Sequence, residues 1–255
     1  KFASAFALGA EVLKTFDPQL AETLITKAKD AYRFGLSDLG ATQTGCVVSP
    51  YFYEEENWVD DLELAAAALY RLTGDAQYLK DAKKWGETEP VTPWMGLNRA
   101  RHYQYYPFGN LGHPLLASVK DTLISQQFAG FLRFGLQHIQ ERAVKDPFRM
   151  GVPFVWCSNN LVTATITQAR MYEEITGDKQ FAEMEAALRD WLLGCNPWGT
   201  SMICGLPEKG DSPVRPHSSL TVLTGQNTLG GLVDGPVYRE TFNSHIGSSA
   251  LGADP

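Results

Sequence analysis

At 255 residues, with 44% hydrophobic and 20% charged side chains, the chain has the length and composition of a globular domain with a large core. Its 29 acidic residues against 22 Lys and Arg leave a net charge of −7, which argues against a nucleic-acid surface built on clustered basic side chains. No apolar run approaches the roughly 18 residues of a membrane-spanning helix.

The chain reads as a succession of amphipathic helices without sustained period-two alternation. A helix is expected from about Phe2 to Phe16 and a second from Pro18 to Tyr32, with Asp17 as N-cap and Pro18 at the first helical position. In the second, Leu20, Leu24, Ile25, Ala28 and Ala31 recur at helical spacing. After the acidic run Glu54-Glu55-Glu56, which reads as a solvated stretch, Asp60-Asp61 place negative charge where the helix dipole favours it. The following LELAAAALYRL is apolar nearly all round, so this helix should be buried on more than one side. It should end at Thr73-Gly74, with Asp75 opening the next helix. The same Thr-Gly-Asp break recurs at Thr176-Gly177-Asp178, and 69–85 aligns with 171–191, an internal repeat of helical hairpins.

Long connections at 33–58, 86–120, 143–157 and 195–240 are expected as loops on one face. Unevenly spaced hairpins with long one-sided loops favour an α/α toroid over a solenoid of fixed period. The expected fold class is therefore all-α, an incomplete (α/α)6 toroid over 1–255. Lys1 opens into a helical pattern with no cap and GSSALGADP closes as a polar loop, so both ends are expected to be cuts through one larger domain. Cys46, Cys157, Cys195 and Cys204 form no metal-binding spacing. A Cys195–Cys204 bridge across the turn between them stays open.

The loops are rich in aromatic residues: Tyr51, Phe52, Tyr53 and Trp58, then Trp94, Tyr103, Tyr105, Tyr106 and Phe108, then Trp156 and Trp198. Flat apolar rings beside acids, amides and histidines suit pyranose rings and their hydroxyl groups, although any single ring could instead pack the base of its loop. The last quarter is the most specific stretch. A helix ends in Leu193-Gly194-Cys195-Asn196-Pro197, and a long polar loop then delivers Arg215, Pro216 and His217.

This stretch resembles glycoside hydrolase family 9, the cellulase-type enzymes, in which an LGxNP turn leads through a serine to a Pro-His-His-Arg motif lining the sugar cleft. The resemblance extends to YFYEEENWVDDLELAAAALYRLTGDAQYL at 51–79, to Phe154-Val155-Trp156-Cys157-Ser158-Asn159, where the family has Trp-Gly-Ser-Asn, and to Gly230-Gly231-Leu232-Val233-Asp234-Gly235-Pro236. It implies substrate contacts at Trp58, Asp60, Trp156, Arg215, His217 and Ser219. For Asp60 a helix cap or dipole partner is the plain alternative. Ser158 or Asn159 should cap the following helix, and the 230–236 turn is read as structural support, with no catalytic role for Asp234. Ser218 and Ser219 stand where the family has His and Arg, and a serine lacks the fork of donors that an arginine offers. Arg215 could compensate from the other side.

The resemblance implies an inverting hydrolase of β-1,4-linked glucan, foremost an endoglucanase, with room for xyloglucan, mixed-linkage glucan or glucosaminyl substrates. A polysaccharide or oligosaccharide is the implied partner, and the implied location is extracellular or periplasmic. No cofactor is expected. A structural calcium occurs in such enzymes, but no oxygen-ligand loop here assigns one. The family's Asp-Ala-Gly-Asp base motif and Asn-Glu acid motif are both missing from these 255 residues, so the chain by itself should be inactive. Two other readings stay open. One is a different α/α-toroid carbohydrate enzyme using His102, Tyr103 or Tyr105 as acid and base. The other is a non-catalytic glycan-binding scaffold.

Overall fold

A computed structural model describes residues 1–40, 43–45, 52–54, 57–96, 108–155, 157–216, 219–226 and 228–245. Contacts divide the chain into two compact units. The first comprises Lys1–Gln43, Glu54–Thr92 and Asn110–Arg133; the second comprises Thr44–Tyr53, Pro93–Gly109 and Phe134–Pro255.

In the first unit, α1 (Phe2–Leu13) and α2 (Pro18–Ser37) form an antiparallel hairpin. Asp17 accepts a 2.9 Å bond from the Leu20 amide and Pro18 fills N1, as its sequence predicts. Helix α3 (Val59–Thr73) packs against α1, α2, α4 (Ala76–Thr88) and α6 (Gly112–Ala117). Ala65, Ala66, Ala67, Ala68 and Leu69 are all buried in succession, which bears out the all-round apolar reading and lets neighbouring helices approach closely. Helix α7 (Thr122–Ala143) starts in this unit and continues through the division into the second.

The two Thr-Gly-Asp breaks share one geometry. Gly74 (φ 73°) and Gly177 (φ 74°) take the left-handed conformation that costs glycine nothing, and their amides bond back to Tyr70 and Glu173 at 2.7 and 2.8 Å. Asp75 and Asp178 each accept from the amide two residues on, at 2.9 Å. The two breaks then diverge. Asp75 caps α4 directly, whereas Asp178 closes a turn and α9 (Ala182–Leu192) starts only after Phe181.

In the second unit α9 packs against α8 (Ser158–Thr176). The connections hold more structure than their composition suggested: strands β1 (Gln43–Gly45) and β2 (Phe52–Glu54) pair, and α5 (Pro93–Gly96), α6, α10 (Ser219–Thr224) and α11 (Arg239–His245) are short helices. Three-residue strands and helices of one or two turns are below the length at which periodicity shows. Trp94, counted among the sugar-facing candidates, is fully buried and donates its indole N–H to the Phe108 carbonyl at 2.7 Å, so both residues are core. Cys195 and Cys204 are free thiols, the first exposed and the second buried.

Candidate functional site

Two groups of candidate residues emerge, one in each unit. In the first unit, Trp58 is the N-cap of α3 and sets its ring edge-on to Trp85, with centroids 5.8 Å apart. Asp60 follows in the first turn and is only 8% exposed. Trp58 and Asp60 thus both stand at the start of α3. One turn further along α3 lies Glu63, which is completely buried. His113 Nδ1 lies 2.6 Å from its Oε1, and the Asn110 side-chain amide donates to its Oε2 at 2.7 Å. The opposite ring nitrogen of His113 faces the Pro90 carbonyl at 3.3 Å, and the imidazole is flanked by Phe128 and Phe131. Asn110, one residue before the Leu111 N-cap of α6, also accepts from the Gly112 and His113 amides at 2.9 and 3.2 Å. Its own backbone N–H donates to Thr92 Oγ1 at 3.3 Å.

Space for the Glu63 carboxylate is made by two glycines. A Cβ on Gly112 would meet Glu63 Cγ at 2.6 Å, and one on Gly86 would meet its Oε1 at 2.8 Å. A third carboxyl, Glu89, stands just beyond the end of α4. Burial first, and then the neighbouring Asp60, push its pKa up to about 8, partly offset by a hydrogen bond from Asn57.

In the second unit, the turn at 194–201 is tied by Asn196. Its side chain donates to the Trp191 and Thr200 carbonyls at 2.9 and 2.8 Å and accepts from the Trp198 amide at 3.1 Å. Trp198 is left 55% exposed, edge-on to the buried Trp191. The chain then runs beside 230–233, with backbone bonds from Cys204 to Gly231, from Gly230 to Cys204 and from Val233 to Met202. Pro216 presses on Gly231, where a Cβ would come within 2.7 Å of the proline ring. This contact anchors the segment that carries Arg215, whose side chain is exposed. Ser219 is the first residue of α10. His217 and Trp156 lie outside the described residues, as do His102, Tyr103 and Tyr105.

The start of α8 departs from expectation. Its N-cap is Cys157, which makes no capping side-chain bond and holds φ 57°. That left-handed conformation accounts for glycine in the family motif at this position. Ser158 and Asn159 do not cap the helix. Their side chains donate to the Pro236 and Val233 carbonyls, both at 2.7 Å, while the Asn159 amide bonds to the Asp234 carbonyl at 3.0 Å. A Cβ on Gly235 (φ 98°) would lie 2.5 Å from Ser158 Oγ. The glycine-dense turn is thus clamped on the entrance of α8, and Asp234 contributes its backbone while its side chain stays exposed.

Sequence reasoning passed over Glu63, Glu89, Asn110 and His113. The single acid inside LELAAAALYRL was the available signal for Glu63; its partners are 47 and 50 residues away. Among the described residues no group of three or more His, Cys, Asp and Glu side chains could hold a metal ion, and no helix is long and apolar enough to cross a membrane.

The Glycosyl hydrolase family 9 profile matches residues 1–251. Endoglucanase D of Acetivibrio thermocellus is 24% identical over 226 residues, covering 85% of this chain and 34% of that protein. The chain therefore spans about a third of the length of this relative. A thermostable endoglucanase from Alicyclobacillus acidocaldarius superposes with a TM-score of 0.75 at 22% identity, over 97% of this chain and 47% of the other. AaCel9A, solved in complex with cellobiose-like isofagomine, gives 0.74 at 23% identity over 94% and 45%. These likenesses show the fold: the helical hairpins are part of an (α/α)6 toroid, as the sequence led us to expect.

Proposed function

The chain belongs to glycosyl hydrolase family 9, and from that premise we propose that the whole protein hydrolyses internal β-1,4 bonds of a glucan-type polysaccharide with inversion. The observation that carries this reading is the family match over residues 1–251, joined to an endoglucanase fold over nearly the whole chain. AaCel9A, bound to a cellobiose-like compound, supports a glucan as substrate.

Inversion needs two carboxyl groups roughly 6.5–9.5 Å apart, one activating water and the other protonating the leaving oxygen. Neither the Asp-Ala-Gly-Asp nor the Asn-Glu motif occurs in the 255 residues. In this reading the chain supplies the binding wall. Trp58 and Trp156 offer apolar faces to sugar rings, and Asp60, Arg215, His217 and Ser219 bond to hydroxyl groups. Water, acid and base suffice for the reaction, so no cofactor takes part. Action on a polymer that cells do not import whole places the protein outside the cytoplasm.

The test is hydrolysis of amorphous cellulose by the whole protein, with the fresh anomer followed by proton NMR and chain length by viscosity. Early α-anomer with a rapid fall in viscosity is expected. A β-anomer, unsaturated products absorbing in the ultraviolet, or binding without turnover would each overturn the proposal. Because Ser218 and Ser219 replace the family's His-Arg pair, xyloglucan, mixed-linkage glucan and glucosaminyl oligomers belong in the same assay.

A further inference from the structure

Among the described tryptophans, Trp85, Trp94 and Trp191 are buried and Trp58 is half-buried, whereas Trp198 is left 55% exposed. Exposure alone would say little, because single apolar side chains are common on protein surfaces. What sets Trp198 apart is how firmly it is held there. Its amide is fixed by buried Asn196, whose side chain also bonds the carbonyls of Trp191 and Thr200 on either side of the turn. Its ring rests edge-on to Trp191, with centroids 6.4 Å apart. The Thr200 hydroxyl lies 3.3 Å from the Trp198 carbonyl and 2.6 Å from Asp211 Oδ2, so an exposed carboxylate is tied to the root of the same turn. Trp191 in turn stacks on Phe154 at 6.1 Å. Trp198 therefore stands where α9 ends and α8 begins, within two ring spacings of the segment that enters α8.

We propose that Trp198 is an outer platform on which a glucan chain stacks a pyranose ring, beyond the residues already assigned to binding, so that the protein favours long chains over short ones. The proposal rests on the glucan-hydrolase reading given above. A pyranose offers a C–H face ringed by hydroxyl groups; the indole takes the face, and the Asp211 carboxylate accepts from a hydroxyl. Size argues against a protein partner, since a whole indole buries about 150–250 Å² and a stable protein interface takes roughly 800 Å² from each side. Because the turn is fixed before any ligand arrives, stacking orders little that was free. A contact remote from the bond being cleaved is made equally in the ground state and the transition state, so it lowers KM and leaves kcat alone.

The test compares the whole protein with its Trp198→Ala, Trp198→Leu and Trp198→Tyr variants. Steady-state kinetics are read on amorphous cellulose, on cellohexaose and on an aryl cellobioside too short to reach the platform. Alanine and leucine should each raise KM for the two long substrates about tenfold with kcat unchanged, the worth of one lost ring contact. Both should leave the cellobioside at wild-type values, and tyrosine, which keeps a flat ring, should recover most of the loss. Leucine still covers Trp191, so its loss separates stacking from mere cover. Wild-type KM for cellohexaose in the leucine variant, an equal loss on the cellobioside, or a tyrosine no better than leucine would each overturn the platform. A wild type that neither binds nor cleaves any β-glucan would instead overturn the glucan reading, and the platform with it.

Discussion

Replacing Gly112 by alanine should reveal how tightly Glu63 is held. In most helices Gly→Ala adds up to about 1 kcal/mol of stability, by lowering the entropy of the unfolded chain. Here the new methyl would sit 2.6, 2.7 and 2.9 Å from Glu63 Cγ, Cδ and Oε1. Glu63 cannot swing aside, because Gly86 closes the other side and His113 and Asn110 hold both oxygens. Moving it breaks hydrogen bonds to a buried charge, at about 1.5–3 kcal/mol each. After the entropic gain is subtracted, Gly112→Ala should destabilise by about 2–5 kcal/mol. Urea unfolding followed by circular dichroism measures this, and a double-mutant cycle with Glu63→Ala identifies the cause. With the carboxylate gone, the alanine should cost nothing or stabilise slightly. Equal costs in both backgrounds, or a cost below about 1 kcal/mol in the wild type, would refute the argument.

Glu89 gives a pH signature of its own. The folded state keeps a proton up to about pH 8 that the unfolded chain releases near 4.5. Stability should therefore fall as pH rises between those values, by at most about 5 kcal/mol, and Glu89→Gln should flatten the slope in urea titrations at pH 5 and 8. Gly235→Ala should destabilise the second unit by about 3 kcal/mol or more, since its φ of 98° is unsuited to alanine and the methyl would strike Ser158. A thermal melt unchanged from wild type would show that the turn yields. The purified 255-residue chain should release no reducing sugar from β-glucan, for want of the family's paired carboxylate motifs. In the active whole protein, His217→Ala should lower kcat/KM roughly tenfold to a hundredfold, the worth of one charged hydrogen bond, with the melting temperature unchanged. Unaltered kinetics would remove His217 from the binding wall.

Features that neighbouring residues decide among themselves could be read from the sequence. Asp17-Pro18, Thr73-Gly74-Asp75 and Thr176-Gly177-Asp178 fix their turns through bonds spanning two to four residues, and all three stand as expected except that Asp178 closes a turn short of α9 instead of capping it. Leu193 to Pro197 was legible as a turn for the same reason. Residues whose roles depend on distant chain were harder to place. Ser158 and Asn159 look like helix caps until the turn 74–78 residues later claims their side chains. Trp94 looks like a loop aromatic until α5 and Phe108 enclose it. Glu63 passes for an exposed charge unless Gly86, Gly112 and His113 are known to surround it. For the candidate site the pattern is the same: Trp58 and Asp60 are two positions apart and both stand at the start of α3, whereas Glu89 is tied to that start by a bond from Asn57, 32 positions earlier, and feels Asp60 beside it.

The clamp between α8 and the 230–236 turn also constrains the order of events during folding. The entrance of α8 is completed by carbonyls of Val233, Asp234 and Pro236, so the helix can nucleate early but its first turn is finished only after a long loop closes. Closure entropy must be met before those three bonds repay it, which makes this step a slow, late one. As the chain emerges from the ribosome, the entrance of α8 waits for more than seventy residues before the carbonyls that complete it exist. Until then its first turn should fray and exchange amide protons freely, and a nascent chain stopped before Val233 would present that end to chaperones and proteases.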